Sequence, residues 1–186
     1  MKIVGVGEKL PEFKVAGVKG GFTQHEEAGH SAFMEVSTES FNGRWQVLFF
    51  WPKNFTFVCP TEIVEFGKLK NEFKDRDCDL YGASTDNEFS HLAWRREHKD
   101  LHDSPFIWLA DPAGKLTDQL GIRDPEGDVA QRATFLVDPH NVIQHVTVNA
   151  LGVGRNPTET LRILDALQTD ELCPCNRAVG GETIKA

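Results

Sequence analysis

Apolar residues fall into two kinds of pattern along this chain, unbroken runs and repeats spaced by three and four, and the two take turns. Residues 47–51 form an unbroken apolar run, as a strand buried on both faces does, and Pro52 stops it. Ile63, Phe66, Leu69 and Phe73 then recur at helical spacing, which predicts one helix with an apolar stripe to lay on a sheet. Residues 80–84 predict a second buried strand. Thr85-Asp86-Asn87-Glu88 has the spacing of a capping box, and Phe89, Leu92 and Ala93 continue it as a helix to about His98. Residues 106–110 predict another strand, closed by Asp111-Pro112-Ala113-Gly114, with a brief helix over 115–120 ended by Gly121. The β-rich runs 132–137 and 142–148, joined by Asp138-Pro139-His140-Asn141, predict a hairpin. Asn156-Pro157-Thr158-Glu159 supplies the cap and first-position proline of a last helix, whose apolar face is Ile163, Leu164 and Leu167. Upstream, Phe13-Lys14-Val15, Phe33-Met34-Glu35-Val36 and a turn at Asn42-Gly43 predict strands or hairpins.

That order predicts an α/β fold: a mixed sheet with helices on both faces. At 186 residues and 40% hydrophobic content the chain suits one domain, here residues 1–172, followed by a polar, glycine-bearing tail, 173–186, expected to be mobile. A net charge of −8 argues against nucleic acid or an anionic membrane as the main partner. The N-terminus is too short and interrupted for a signal peptide, so the expected compartment is the cytoplasm. Four cysteines in a reducing compartment suggest redox catalysis or metal binding more than structural disulfides.

Cys59 carries the chemistry. It follows the 47–51 strand and the loop after Pro52, and it precedes Pro60, a residue suited to a first helical turn, and Glu62, placed to reach back to the cap. A free thiol with a pKa of about 8.5 is only about 3% ionised at neutral pH. A helix N-terminus contributes roughly 0.3–1 kcal/mol toward the anion, whereas lowering a thiol pKa to about 6 takes roughly 3.4 kcal/mol. Donors from elsewhere are therefore required. Thr56 is one candidate. Arg132, opening an otherwise apolar strand, is another, because its fork of N–H groups can face a thiolate and a second acceptor together. The alternatives are a small core cysteine and an ordinary surface arginine; Arg155, just before the last helix, invites the same two readings.

A thioredoxin-like dithiol would need a cysteine at position 62, which is Glu62, so Cys59 acts alone or with a distant thiol. Cys173-Pro174-Cys175 supplies accessible partners, or else half of a zinc site; His98 and His102 lie in a charged, solvated segment and do not complete one. Cys78 reads as structural and Trp94 as packing.

Residues 49–62 resemble the active-site motif of the peroxiredoxins, Pro-x-x-x-Thr-x-x-Cys, met by Pro52, Thr56 and Cys59. His91-Leu92-Ala93-Trp94, Arg132-Ala133-Thr134-Phe135-Leu136-Val137-Asp138, Gly154-Arg155 and Glu171-Leu172-Cys173-Pro174 are likewise similar to typical two-cysteine members, above all the C-component group of bacterial alkyl hydroperoxide reductases. The resemblance implies a thioredoxin-like fold and no cofactor. It implies Cys59 as peroxidatic and Cys173 as resolving cysteine, with Pro52, Thr56 and Arg132 around the sulfur and Glu62, Trp94 and Arg155 in support. It further implies reduction of hydrogen peroxide and organic hydroperoxides, a disulfide joining two subunits, and homodimers assembled into a ring, a decamer or dodecamer. The reductant implied is an external dithiol, a D-component-like protein or thioredoxin. This chain departs from the pattern after Cys173-Pro174, where Cys175, Asn176 and Arg177 replace a small residue, Asn and Trp, which makes Cys175 a possible disulfide relay. It also lacks the Gly-Gly-Leu-Gly insertion and the Tyr-Phe pair of members sensitive to overoxidation. A redox sensor switched at Cys59, a holdase and a disulfide oxidoreductase are the rival functions.

Overall fold

The computed structural model describes residues 2–41 and 43–185, so Asn42 of the expected Asn42-Gly43 turn lies outside the described residues. Its centre is the unbroken apolar run, strand β5 (Trp45–Phe50). Successive side chains of a strand point to opposite faces, so Leu48 and Phe50 enter one core, and Val47 and Phe49 the other. No exposed face remains from Gln46 to Phe50. It pairs in parallel with β6 (Cys78–Ser84), Val47 opposite Leu80, and antiparallel with β8 (Arg132–Val137), Val47 opposite Leu136.

The remaining strands extend this core to both sides. β7 (Ile107–Ala110) lies parallel to β6, and β9 (Ile143–Asn149) closes the hairpin with β8. From the N-terminal region, β1 (Lys14–Val18) runs antiparallel to β7 and carries β4 (Phe33–Ser37) on its outer side, while β2 (Glu26–Glu27) and β3 (His30–Ser31) form a separate small hairpin. The seven strands stand in the order β4-β1-β7-β6-β5-β8-β9. Helices α1 (Cys59–Lys68), α3 (Glu88–Glu97) and α5 (Pro157–Leu167) cover the face holding Phe49, through Ile63, Phe66, Trp94, Leu161 and Leu164. Leu116 of α4 (Lys115–Gln119) joins Leu10 and Phe13 on the other. The expected mixed sheet with helices on both faces is the observed one. Close packing reaches the backbone at Gly82, where a Cβ would sit 2.6 Å from the Trp51 ring.

Three local expectations change. The single helix expected through Phe73 breaks at Leu69 (φ −90°, ψ 3°), whose N–H turns back to Phe66 O, and resumes as α2 (Lys70–Lys74). Gly67, in the last turn of α1, weakens helical propensity there. The cap of α3 is Asn87, whose Oδ1 accepts from Ser90 N at 2.8 Å; Thr85 stands outside, and Asp86 is engaged by Ser84 Oγ at 2.7 Å. The tail, expected to be mobile, has anchors: Arg177 pairs with Asp165 at 2.7 Å, Gly180 N donates to the same carboxylate at 2.9 Å, and Ile184 N donates to Leu172 O. No helix among the described residues is long and apolar enough to cross a membrane.

Candidate active site

The site is built where β5 runs out. Trp51 stays buried, the buried Pro52 ends the strand, and the chain crosses to α1, whose first residue is Cys59 and second is Pro60. The Cys59 side chain is 1% exposed. Its Sγ lies 3.0 Å from Thr56 Oγ1 and 3.4 Å from Arg132 Nη1. Thr56 Oγ1 is also 2.9 Å from Lys53 O, so its single proton goes either to that carbonyl or to the sulfur. Val58, before the helix, makes no side-chain cap.

Glu62 does not reach back to the cap as the sequence suggests. It turns inward, because two buried guanidinium groups claim it. Arg132 Nη1 donates to Glu62 Oε2 at 2.6 Å. Arg155 donates to Oε1 from its Nε at 2.7 Å and from its backbone N at 2.9 Å, and to Oε2 from Nη2 at 2.9 Å. The side chains of Glu62, Arg132 and Arg155 are 2%, 5% and 4% exposed, so neither arginine is a surface residue. Burial pushes the Glu62 carboxyl up, but bonds to Arg155 and the charges of Arg155 and Arg132 outweigh it and hold the group below its ordinary value. Burial likewise draws the Arg155 guanidinium below its ordinary value despite Glu62.

The remaining donors are placed by the backbone. Arg132 Nε donates to Leu151 O at 2.7 Å and Arg155 Nη1 to Ala133 O at 2.7 Å, while the Arg155 guanidinium lies 5.3 Å from the Phe49 ring centroid. Both cations are therefore fixed by strand β8 and the segment after β9. Two guanidinium groups and one carboxylate leave one positive charge unmatched in a buried site, beside the Cys59 sulfur.

Trp94 stands further out. Its ring packs 6.4 Å from Trp51, 5.8 Å from Trp108 and 5.9 Å from Phe55, which makes it a wall of the core under the loop. Cys78 is buried, and desolvation pushes its thiol far up, consistent with a structural role. Cys173 is half-buried, its Sγ 3.5 Å from Thr169 Oγ1 and 3.6 Å from Ala166 O, at the end of α5, whereas Cys175 is exposed. Cys59, Cys173 and Cys175 are all free thiols; the structure does not join Cys173 to Cys59 within one chain. Among the described residues no cluster of three His, Cys, Asp or Glu is placed to hold a metal. The sequence reading missed Asn54, Asp86 and His91, which bond beneath the loop, because their partners lie more than thirty residues apart and leave no local pattern.

Residues 6–146 match the family described as AhpC/TSA. The chain belongs to that family. "Alkyl hydroperoxide reductase C" of Mycolicibacterium smegmatis is 47% identical over 188 residues, covering 100% of this chain and 96% of the relative. The solved Mycobacterium tuberculosis AhpC superposes with a TM-score of 0.85 at 45% identity, over 92% of this chain and 97% of that one. A reduced 2-Cys peroxiredoxin from Plasmodium vivax gives 0.86 at 32% identity, over 97% and 92%. This AhpC/TSA member is a thiol-dependent peroxidase of the peroxiredoxin type, with the thioredoxin-like fold expected of it.

Proposed function

We propose that Cys59 is the peroxidatic cysteine and that the enzyme reduces hydrogen peroxide and organic hydroperoxides through a Cys59–Cys173 disulfide between two subunits. The observation that carries this reading is the buried thiol between Thr56 and Arg132, in a site with one unmatched positive charge. The thiolate attacks the terminal peroxide oxygen, the O–O bond breaks, and the departing oxygen takes a proton and leaves as water or an alcohol, with Cys59 now a sulfenic acid. Charge shifts from sulfur to the two oxygens as this happens. Donors fixed in advance stabilise that transition state, which is the role of Arg132 and Thr56, while Glu62 and Arg155 hold Arg132 in place and Pro52 ends the strand so that the loop can turn. Trp94 supports the loop from below.

The Cys173 thiol then condenses with the sulfenic acid, a disulfide forms, and water leaves. An external dithiol, of the D-component kind or thioredoxin, returns both sulfurs to thiols. Cys175 is exposed beside Cys173, which suits it to pass the disulfide to that reductant. In this reading residues 1–172 are the peroxidase domain and 173–186 the redox tail, and homodimers assemble into a cytoplasmic ring, decamer or dodecamer.

A peroxide assay with a recycling dithiol, paired with a nonreducing gel, tests the assignment. Cys59→Ser abolishes turnover. Cys173→Ser consumes one peroxide per site and stalls, and the dimer band of the oxidised wild type disappears. Normal steady-state turnover with Cys173 and Cys175 both replaced would falsify the resolving role, and rapid catalytic turnover excludes a mere sensor.

A further inference from the structure

Of residues 53–58, only Asn54 is buried; Lys53, Phe55 and Phe57 around it are exposed. A polar side chain is costly to bury unless its bonds are made, and those of Asn54 all are. Its Oδ1 accepts from Trp51 Nε1 at 2.9 Å. Its amide nitrogen donates to Ser90 Oγ at 3.0 Å and lies 3.0 Å from His91 Nδ1. His91 Nε2 is 3.0 Å from Leu109 O, and a carbonyl only accepts, so Nε2 carries the imidazole proton and Nδ1 is left to accept from Asn54. The backbone N–H of Asn54 donates to Asp86 Oδ2 at 2.9 Å, the same oxygen that accepts from Ser84 Oγ. One residue thus ties the loop to the end of β5, to the turn after β6, to α3 and, through His91, to β7.

The next two residues of the loop depend on that tie. Phe55 adopts φ +56°, a left-handed conformation that a residue with a side chain holds only where its surroundings dictate it. Thr56 comes after it, with Oγ1 3.0 Å from Cys59 Sγ. The same loop must also give way. A disulfide brings two sulfurs to about 2.05 Å, and a cysteine that is 1% exposed admits no protein thiol to that distance until the segment around it moves.

We infer that Asn54 is the positioning residue that holds residues 52–58 in the peroxide-reactive arrangement, and that the strength of its hold sets how oxidised Cys59 divides between disulfide and further oxidation. The inference rests on the proposed disulfide with Cys173. The two fates of the sulfenic acid are balanced steps. With the resolving thiol it gives a disulfide and water; with a second hydroperoxide it gives a sulfinic acid and an alcohol or water. A tighter loop favours the first oxidation and also the second. A looser loop slows oxidation and releases the sulfur to the thiol.

Rapid-mixing kinetics on the full-length reduced enzyme test this with Asn54→Ala. Reaction of Cys59 with hydrogen peroxide slows about tenfold or more, since small displacements of reacting groups cost that much. Disulfide formation, followed separately, quickens by about threefold as the open population grows, and the peroxide concentration that half-inactivates the enzyme during turnover rises. Ser90→Ala removes a single acceptor, leaves the α3 cap at Ser90 N intact, and shifts both rates the same way by about threefold or less; it decides the matter if Asn54→Ala does not fold. Lys53→Ala on the same loop changes neither. A purely structural role would slow both steps in parallel. That outcome, an oxidation rate within twofold of wild type, or disulfide formation that does not quicken overturns the inference. If wild type forms no Cys59–Cys173 disulfide, the proposed resolving step fails instead, and the oxidation arm still reads the role of Asn54.

Discussion

Cys59 and Cys173 are held in opposite ways. Around Cys59 the charged side chains are paired with one another and at most 5% exposed, and their bonds run to β8, to the segment after β9 and into α1. Around Cys173 the contacts are three long sulfur bonds, to Ala166 O in the last turn of α5 and to Thr169 Oγ1 and Glu171 O just beyond it, and the tail beyond hangs mainly on one carboxylate, Asp165, which takes Arg76 at 3.2 Å, Arg177 at 2.7 Å and Gly180 N at 2.9 Å. On the proposed reading, the difference suits the partner each sulfur would meet. A peroxide is small enough to enter a closed site, and its reduction gains from donors that need no rearrangement. A protein thiol is not, and its reaction gains from reach.

The widest separation between the two regions comes from Arg132→Met. It removes the cation beside the sulfur while Arg155 keeps Glu62 paired, so the peroxide reaction slows by about 10²–10³-fold, as for loss of one preorganised donor. Exchange of the tail thiols with a small disulfide stays as in wild type. Equal loss in both assays would mean that Arg132 supports the whole fold and would erase the contrast.

Acid gives the next largest effect. Desolvation, outweighing the bond to Leu109 O, pushes the His91 imidazole down from 6.5 to about 3, so the folded protein holds it neutral while the unfolded chain takes up a proton. Stability from this group is complete above pH 6.5 and declines as pH falls toward 3, with a slope approaching about 1.4 kcal/mol per pH unit. Asp165 behaves differently: burial raises its carboxyl, but Gly180 N, Arg177 and Arg76 outweigh this and hold it below the ordinary 3.8. Its contribution is lost only as pH falls through that lower value. Thermal melts between pH 7 and 5 therefore lose stability while the tail bonds persist, and His91→Gln flattens the dependence. Melting curves of the two proteins that fall in parallel would exclude His91 as the cause.

The smallest effect is Asp165→Ala. The Asp165 and Arg177 side chains are 15% and 4% exposed, so losing the carboxylate leaves a buried guanidinium without its partner and global stability falls by about 1–3 kcal/mol. Hydrogen exchange at Arg177 and Gly180 quickens and the Cys59 peroxide rate is unchanged. A slower peroxide reaction in this variant would show the two regions to be coupled in the reduced state.

How far the sequence revealed this site depends on the range of each interaction. Thr56 and Cys59 are three residues apart, and Arg132 stands out as a charge opening an apolar strand, so their meeting was legible. Glu62 was misplaced because its partner Arg155 is 93 residues away, and a local reading can offer it only the helix cap. Asn54 was invisible for the same reason: its bonds span 32 to 37 residues to Asp86, Ser90 and His91. The central strands β5, β6, β7 and β8 were legible, since apolar runs report their own burial. The tail's composition speaks for mobility, and what opposes it is a few single contacts, above all Arg177 on Asp165, which composition averages away.

Arg95, on α3, is wholly buried and forms no ion pair among the described residues, its guanidinium lying 4.2 Å from the Trp108 ring centroid and donating to the carbonyls of Val18, Lys19 and Phe106. Those acceptors belong to the end of β1 and the approach to β7. Stripping such a cation of water before its acceptors are in place costs several kcal/mol, so α3 cannot settle on a sheet from which β1 is missing. Terminal strands commonly fray; here the end of the first strand, α3 and the approach to β7 are held to one another through a single buried cation.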